Sequence, residues 1–308
     1  MAISFRIPAF ILSPLNALAL LAALGLAGCG TLPREVERPP SSALKPSPDS
    51  ALVQIAQASI PAPDLSGFRL MPHGFYSLDA RIELARRARH SLDLQYYHIH
   101  NDKTGHLLLR NVRDAALRGV RVRLLVDDLY TTGGDELFIG LAAFPNVEVR
   151  LFNPFCCGRG SLLGKYTASL ADFGRLNRRM HNKLFIADGA IVVAGGRNIA
   201  DEYFMRSASD NFVDMDAFIV GAVVPQLAGI FDTYWNSPQV YPVQSIIRTN
   251  LDRETLRRHF DSLVDEGEQM MSLTLPAIDI LGYGPISEDL EAGRLGLIWG
   301  KAVAFADS

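Results

Sequence analysis

Cysteine is scarce in this chain: 308 residues contain only Cys29, Cys156 and Cys157. So few thiols exclude a disulfide framework and a four-thiolate zinc centre. The adjacent Cys156 and Cys157 read as two half-buried thiols. Neither sign of charge dominates, with 30 Lys plus Arg against 33 Asp plus Glu and a net charge of −3. That balance excludes a protein that coats nucleic acid through its overall field and leaves room only for a local basic site. No apolar run is long enough to span a bilayer, because residues 15–28 fall short of the ~20 residues that a membrane helix needs. Charged residues make up 20% and hydrophobic residues 48%, so wholesale disorder is excluded and a sizeable core can be buried in one large domain or two.

What is present divides the chain in three. Residues 1–28 carry one early Arg6 and then an apolar stretch, which reads as a secretory signal peptide. The stretch ends in Leu26-Ala27-Gly28-Cys29, which resembles the bacterial lipobox. That resemblance implies cleavage before Cys29, lipidation of its thiol and an exported, envelope-anchored protein. Gly30 follows where Asp would signal retention, so an outer-membrane destination is favoured in a Gram-negative source. Residues 29–66 hold seven of the 17 prolines and are expected to form a Pro-rich, semi-extended tether with a short helix near residues 51–58. Residues 67–308 are expected to form the folded domain.

That domain alternates helix and strand. The apolar spacing predicts helices over residues 77–90, with Ser77 as cap, and over 104–118, ended by Gly119. It predicts strands over 92–99, over 120–126 ending at Asp127-Asp128, and over 147–152, with a shorter helix at 136–143. Runs at 184–187 and 190–194, joined by Asp188-Gly189, predict a hairpin. A strand at 213–220 and a helix at 223–235 come next. The series implies a layered α/β domain, with helices covering a sheet.

The informative constellation is His181-Asn182-Lys183, then Asp188, then Gly195-Gly196-Arg197-Asn198. If Lys183 opens a strand, His181 and Lys183 project to one face and Asn182 to the other. An imidazole and an ammonium side by side suit a phosphate diester. The imidazole can attack phosphorus, and the ammonium can neutralise the oxygens as charge builds. Gly195 and Gly196 would let the backbone approach a ligand closely. Asn198 could donate an amide hydrogen bond, and a helix beginning near it would add its positive end.

These residues resemble the phospholipase D superfamily, whose signature H-x-K-x4-D followed by G-S/G-x-N fits His181, Lys183, Asp188, Gly195, Gly196 and Asn198. Flanking segments around residues 94–105, 119–127, 196–204, 214–216 and 234–236 are similar to its bacterial cardiolipin-synthase-like branch. The resemblance implies a mixed β-sheet flanked by helices on both faces, forming one half of the usual pseudo-dimer. It also implies two-step displacement at a phosphodiester. His181 would be the nucleophile that becomes a phosphohistidine, and a histidine from a second motif the general acid and base. Lys183 would be the phosphate clamp. Asp188 belongs to the catalytic motif, although its place at a hairpin turn points to a supporting role. No cofactor or metal is implied, because lysines supply the electrostatics. Phosphatidyl transfer to a lipid hydroxyl and phospholipid hydrolysis are the outcomes.

The chain departs from that pattern by carrying one motif. The only histidine after Asn198 is His259, with no lysine two residues on. Three explanations stand: a truncated product, a second polypeptide that supplies the other motif, or a homodimer. The alternative functions are a homodimeric single-motif endonuclease, for which nucleic acid would be the substrate, and an inactive lipoprotein remnant. Four further groups stand out. His98 and His100 could suggest a metal, but no third ligand is evident in sequence, and cleft lining is the expected role. Asp127 and Asp128 end a strand, where α/β sites often lie, or else cap the next segment. Arg175, Arg178 and Arg179 suit either anionic headgroups or a solvated loop. Phe231, Tyr234 and Trp235 are expected in the core.

Overall fold

Valine, isoleucine and leucine concentrate in runs of four to seven residues punctuated by glycine and charge, and those runs form the strands. In a computed structural model describing residues 32–168, 173–265 and 277–307, they assemble one nine-stranded sheet in the order β8-β4-β3-β2-β5-β6-β7-β1-β9. The strands are β1 (Ser66–Met71), β2 (Ser91–Tyr96), β3 (Arg121–Asp127), β4 (Val147–Phe152), β5 (Leu184–Ala187), β6 (Ile191–Gly195), β7 (Asp216–Gly221), β8 (Val240–Pro242) and β9 (Ile298–Gly300). Strands β2, β3 and β4 run parallel, joined by helical crossovers, and the other pairings are antiparallel. The sheet is therefore mixed, as expected.

The two faces are covered unequally. One carries α2 (Gly74–Arg87), α3 (Lys103–Leu117), α4 (Asp135–Leu141), α9 (Arg253–Asp265) and α10 (Ile286–Ala292), packed over Leu94, Tyr96, Leu124, Val149, Phe185 and Val193. The other has one long helix, α7 (Val224–Trp235), over Leu125, Ile186, Val192 and Ile219. Phe231 and Trp235 are fully buried there, as expected, while Tyr234 is only partly so. Short helices α5 (Leu162–Ala168), α6 (Phe173–Leu176) and α8 (Val243–Ile246) complete the domain, and Arg123 and Arg150 lie against the Trp235 ring at 5.4 and 4.3 Å.

One helix cannot cover that second face, and the segment expected as a free tether helps to do so. Residues 38–59 lie on the body instead of standing off it. Arg38 Nη1 donates to the carbonyls of Pro238 and Val240 at 2.7 and 2.8 Å. The Ala43 amide donates to Asp232 at 2.9 Å, and Trp235 Nε1 donates to Ser41 Oγ at 2.9 Å. The short helix is present as α1 (Ala51–Ser59), with Leu52 and Val53 wholly buried in the larger core. The proline-rich composition records a chain that follows a surface in extended form, a role that loose tethers share in sequence. Residues 1–31, with Cys29 and the signal peptide reading, fall outside the described residues.

Ser50 joins this strap to the sheet. Its hydroxyl caps α1 by accepting from the Val53 amide and donates to Asp188 at 2.5 Å. Ser50→Ala is expected to cost about 1–2 kcal/mol, a lost N-cap plus one hydrogen bond to a charged group. Urea unfolding measures this, and an unchanged midpoint would mean that the strap contributes nothing to the fold.

Predicted element ends shift by a few residues. Helix α2 starts at Gly74, because the Ser77 hydroxyl bonds to Asp216 and caps nothing, and β7 begins at Asp216, later than the apolar pattern suggested.

Candidate active site

The β5–β6 hairpin forms where predicted. Asp188 and Gly189 both take the left-handed conformation, with φ of 49° and 63°. Asp188 is buried, and its carboxylate accepts from the amides of Arg89, His90 and Ser91 at 2.8–3.2 Å as well as from Ser50. It thus clamps the α2–β2 connection to the hairpin turn, at the far end of β5 from His181 and Lys183. The structure does not bring it to them, which corrects its grouping with the catalytic pair and agrees with the supporting role that its turn position suggested.

His181 and Lys183 stand just ahead of β5, at the end of the sheet where β2 and β3 finish. They share one side. The Tyr97 ring, one residue past β2, lies 4.8 Å from the His181 ring and 5.4 Å from Lys183 Nζ. Lys183 Nζ donates to the His181 carbonyl at 2.7 Å, which ties the two positions together. Asn182 turns the other way and bonds to Tyr234 on α7. His181 is exposed, whereas Lys183 is 4% exposed. The site is an open rim. A cleft of about 660 Å³ lined by Arg86, Arg89 and His90 lies at the opposite end of β2.

Electrostatics prepares both groups. Burial and the neighbouring Lys183 charge lower the His181 pKa below its ordinary value, so the imidazole is neutral at pH 7. Burial lowers Lys183 to about 8, against the opposing pull of Asp214 and Asp216. At pH 7 the lysine is therefore mostly charged and poorly solvated, the state that binds an anion well.

The glycines serve a different purpose from the one expected. A Cβ on Gly195 would lie 2.1 Å from Asp216 Oδ1, and one on Gly196 would lie 2.0 Å from Asp214 Oδ1. Both glycines admit the carboxylates of the β6–β7 connection, which fill the space that a side chain would need. Asn198 is likewise occupied. Its Oδ1 accepts from the His98 amide at 3.1 Å, and its Nδ2 donates to Tyr203 Oη at 3.0 Å. It positions the segment after β2. No helix starts at Asn198; a single 3₁₀ turn covers Asp201–Phe204, with acidic residues in its first turn, so no anion site forms there.

Other singled-out residues are support. Asp127 accepts from the amides of Leu129 and Met180 and from Arg179 Nη1 at 2.9–3.0 Å, which fixes the residue before His181. Burial pushes its carboxyl up to about 6, although Arg179 opposes this. Asp128 binds Arg159 at 2.6–2.8 Å and caps the Phe155 amide. Arg175 donates to the Pro154 carbonyl and Arg179 to the Leu176 carbonyl, so these two brace the approach to the motif, and Arg178 is exposed. His259 lies on α9, on the helix-rich face.

The family resemblance of residues 94–105 took in Tyr97, whose ring organises the pair, but no reading gave it a role or foresaw the buried network behind it. In that network Asp216 pairs with Arg81 at 3.1 Å and Arg197 at 3.5 Å, and Arg81 Nε donates to Tyr96 Oη at 2.8 Å. Only the near-coincidence of Asp214 and Asp216 with the family pattern hinted at it.

Comparison with known proteins fits this arrangement. The chain is 40% identical over 245 residues to cardiolipin synthase C of Escherichia coli K12, covering 75% of this chain and 48% of that protein. It is 38% identical over 188 residues to an uncharacterized protein of Helicobacter pylori, covering 61% and 37%. The chain thus spans about half the length, or less, of the curated relatives it matches. Among solved structures, phosphatidylserine synthase of Haemophilus influenzae aligns with a TM-score of 0.44 at 14% identity, over 71% of this chain and 48% of that one. A family model described as "Cardiolipin synthase, PLD-like domain" matches residues 82–235, half of the chain, from the second half of α2 through the His181 motif to the end of α7. The chain belongs to the phospholipase D-like family of cardiolipin synthase type.

Proposed function

We propose that this domain carries out the nucleophilic half of a phosphodiester exchange on phospholipid. In it, neutral His181 attacks phosphorus and Lys183 holds the phosphoryl oxygens. The P–O bond to the leaving alkoxide breaks as the N–P bond forms, and a histidine from a second motif protonates that alkoxide. That second motif would come from outside these 308 residues, or be the His181 and Lys183 of a second copy. A lipid hydroxyl as acceptor gives phosphatidyl transfer of the cardiolipin synthase type, and water gives hydrolysis. We further infer from the Leu26-Ala27-Gly28-Cys29 sequence that the protein is exported and anchored in the envelope through Cys29, which would bring the site to lipid.

The observation that carries the reading is the pairing of a neutral imidazole with a poorly solvated ammonium against one Tyr97 ring at an open sheet end. The test uses bis(p-nitrophenyl) phosphate, whose leaving group needs no proton and so isolates this half of the chemistry. A burst of p-nitrophenolate, stoichiometric with protein and accompanied by an acid-labile phosphohistidine, is expected. The burst rate should be bell-shaped in pH. It should rise as His181 loses its proton, at a pH lower than for an ordinary histidine, and fall as Lys183 loses its own near pH 8. Absence of any protein-bound phosphate overturns the proposal. A homodimeric nuclease is the rival, and cleavage of single-stranded DNA without phospholipid turnover would select it.

A further inference from the structure

The sequence offered His98 and His100 without a third ligand. Folding supplies ligands from elsewhere. His100, Asp102 and Glu202 each present one donor atom, and all of these atoms lie within 4.8 Å of one another. His100 Nδ1 is 3.3 Å from Asp102 Oδ2. His100 and Asp102 lie two residues apart at the entry to α3, where Asp102 is the N-cap, and Glu202 comes from the distant 3₁₀ turn.

We propose that His100, Asp102 and Glu202 form a site for one divalent transition ion, such as Zn²⁺ or Mn²⁺, linked to His181 by a run of four ring contacts. One imidazole and two carboxylates are a mixed nitrogen and oxygen set, which suits borderline ions of this kind. Three protein ligands leave coordination positions for water, and His100 is exposed, so an ion has a path in. The frame is already fixed. Asp102 accepts from the amides of Gly105 at 2.8 Å and Asp201 at 2.7 Å, Thr104 bonds to Asp201, and the His100 amide donates to the Ile199 carbonyl at 2.8 Å. These bonds orient a carboxylate ligand much as outer-shell partners do in metal proteins. A chain of ring contacts of 4.8–5.4 Å runs from His100 through His98, Tyr130 and Tyr97 to His181. An ion here would therefore pin the 3₁₀ turn, whose Tyr203 holds Asn198, to the segment that carries Tyr97.

The experiment is titration of the metal-stripped full chain with Zn²⁺ by calorimetry and with Mn²⁺ by loss of the free-ion paramagnetic resonance signal. One saturable site per chain is expected. His100→Ala and Glu202→Gln should each weaken it by more than about tenfold, with circular dichroism spectra unchanged. The triple variant Cys29→Ser, Cys156→Ser, Cys157→Ser should bind as the parent does, which separates this site from thiol binding. No saturable binding, unchanged affinity in both ligand variants, or loss of binding in the cysteine variant would each overturn the proposal.

Discussion

His181→Ala should lower the p-nitrophenolate burst and phosphohistidine formation by roughly 10⁴-fold or more while leaving stability within about 0.5 kcal/mol of the parent. The two halves of that expectation have separate causes. In the proposed reaction the imidazole forms the covalent bond, so nothing nearby could substitute for it. Lys183 holds an anion but does not attack phosphorus, and Asp188 is committed to the amides of residues 89–91 at the far end of β5. Stability, in contrast, owes His181 little, because its side chain is exposed and its ring contact is with Tyr97. Burst kinetics and thermal unfolding on the same preparation decide the matter. A residual burst within tenfold of the parent would place the nucleophile elsewhere, and a collapse of the unfolding midpoint would make the histidine structural.

Asp216→Ala should do the reverse, destabilising the fold by about 3–5 kcal/mol through the loss of a buried ionic partner. Its carboxylate takes Arg81 at 3.1 Å, Arg197 at 3.5 Å, the Ser77 hydroxyl and the Arg197 amide. Burial alone would raise the pKa of this carboxyl, but Arg81, Ser77 and Arg197 outweigh it and hold the group below the usual aspartate range. Both guanidinium groups are themselves at most 2% exposed. Removing Asp216 leaves two buried cations facing each other without compensation, a larger penalty than the lost attraction. The folded-state pKa is depressed, so this stabilisation is present above the unfolded aspartate pKa and fades as pH falls through the folded value. The alanine variant should therefore lose most stability near neutral pH and approach the parent in strong acid. Urea unfolding at both pH values checks this. A loss below about 1 kcal/mol at neutral pH would mean that water reaches the arginines.

The physical reach of the sequence is clearest in particular residues. The 3.6- and 2-residue apolar periods located the helices and strands, because burial of one face imposes them locally. The pair His181 and Lys183 was legible because a spacing of two beside a strand fixes a shared side whatever lies around it. The roles assigned to Gly195, Gly196 and Asn198 were not legible. A glycine needed for close approach looks the same whether the approaching atom belongs to a ligand or to Asp214 and Asp216, and an amide does not announce that it will bond to the His98 amide and Tyr203.

The strap shows the same division. Proline and serine in residues 33–63 state that the chain is extended, but not that Asp232 and Trp235 await it on a face that a single helix leaves uncovered. By itself, then, the sequence determined the element types, the hairpin at Asp188-Gly189 and the shared side of His181 and Lys183, all set by neighbours within a few residues. Tertiary structure alone decided the docking of the strap, the Asp216 network and the arrival of Glu202 beside His100 and Asp102. Each of these depends on contacts between distant segments, and a linear pattern carries no term for such distances.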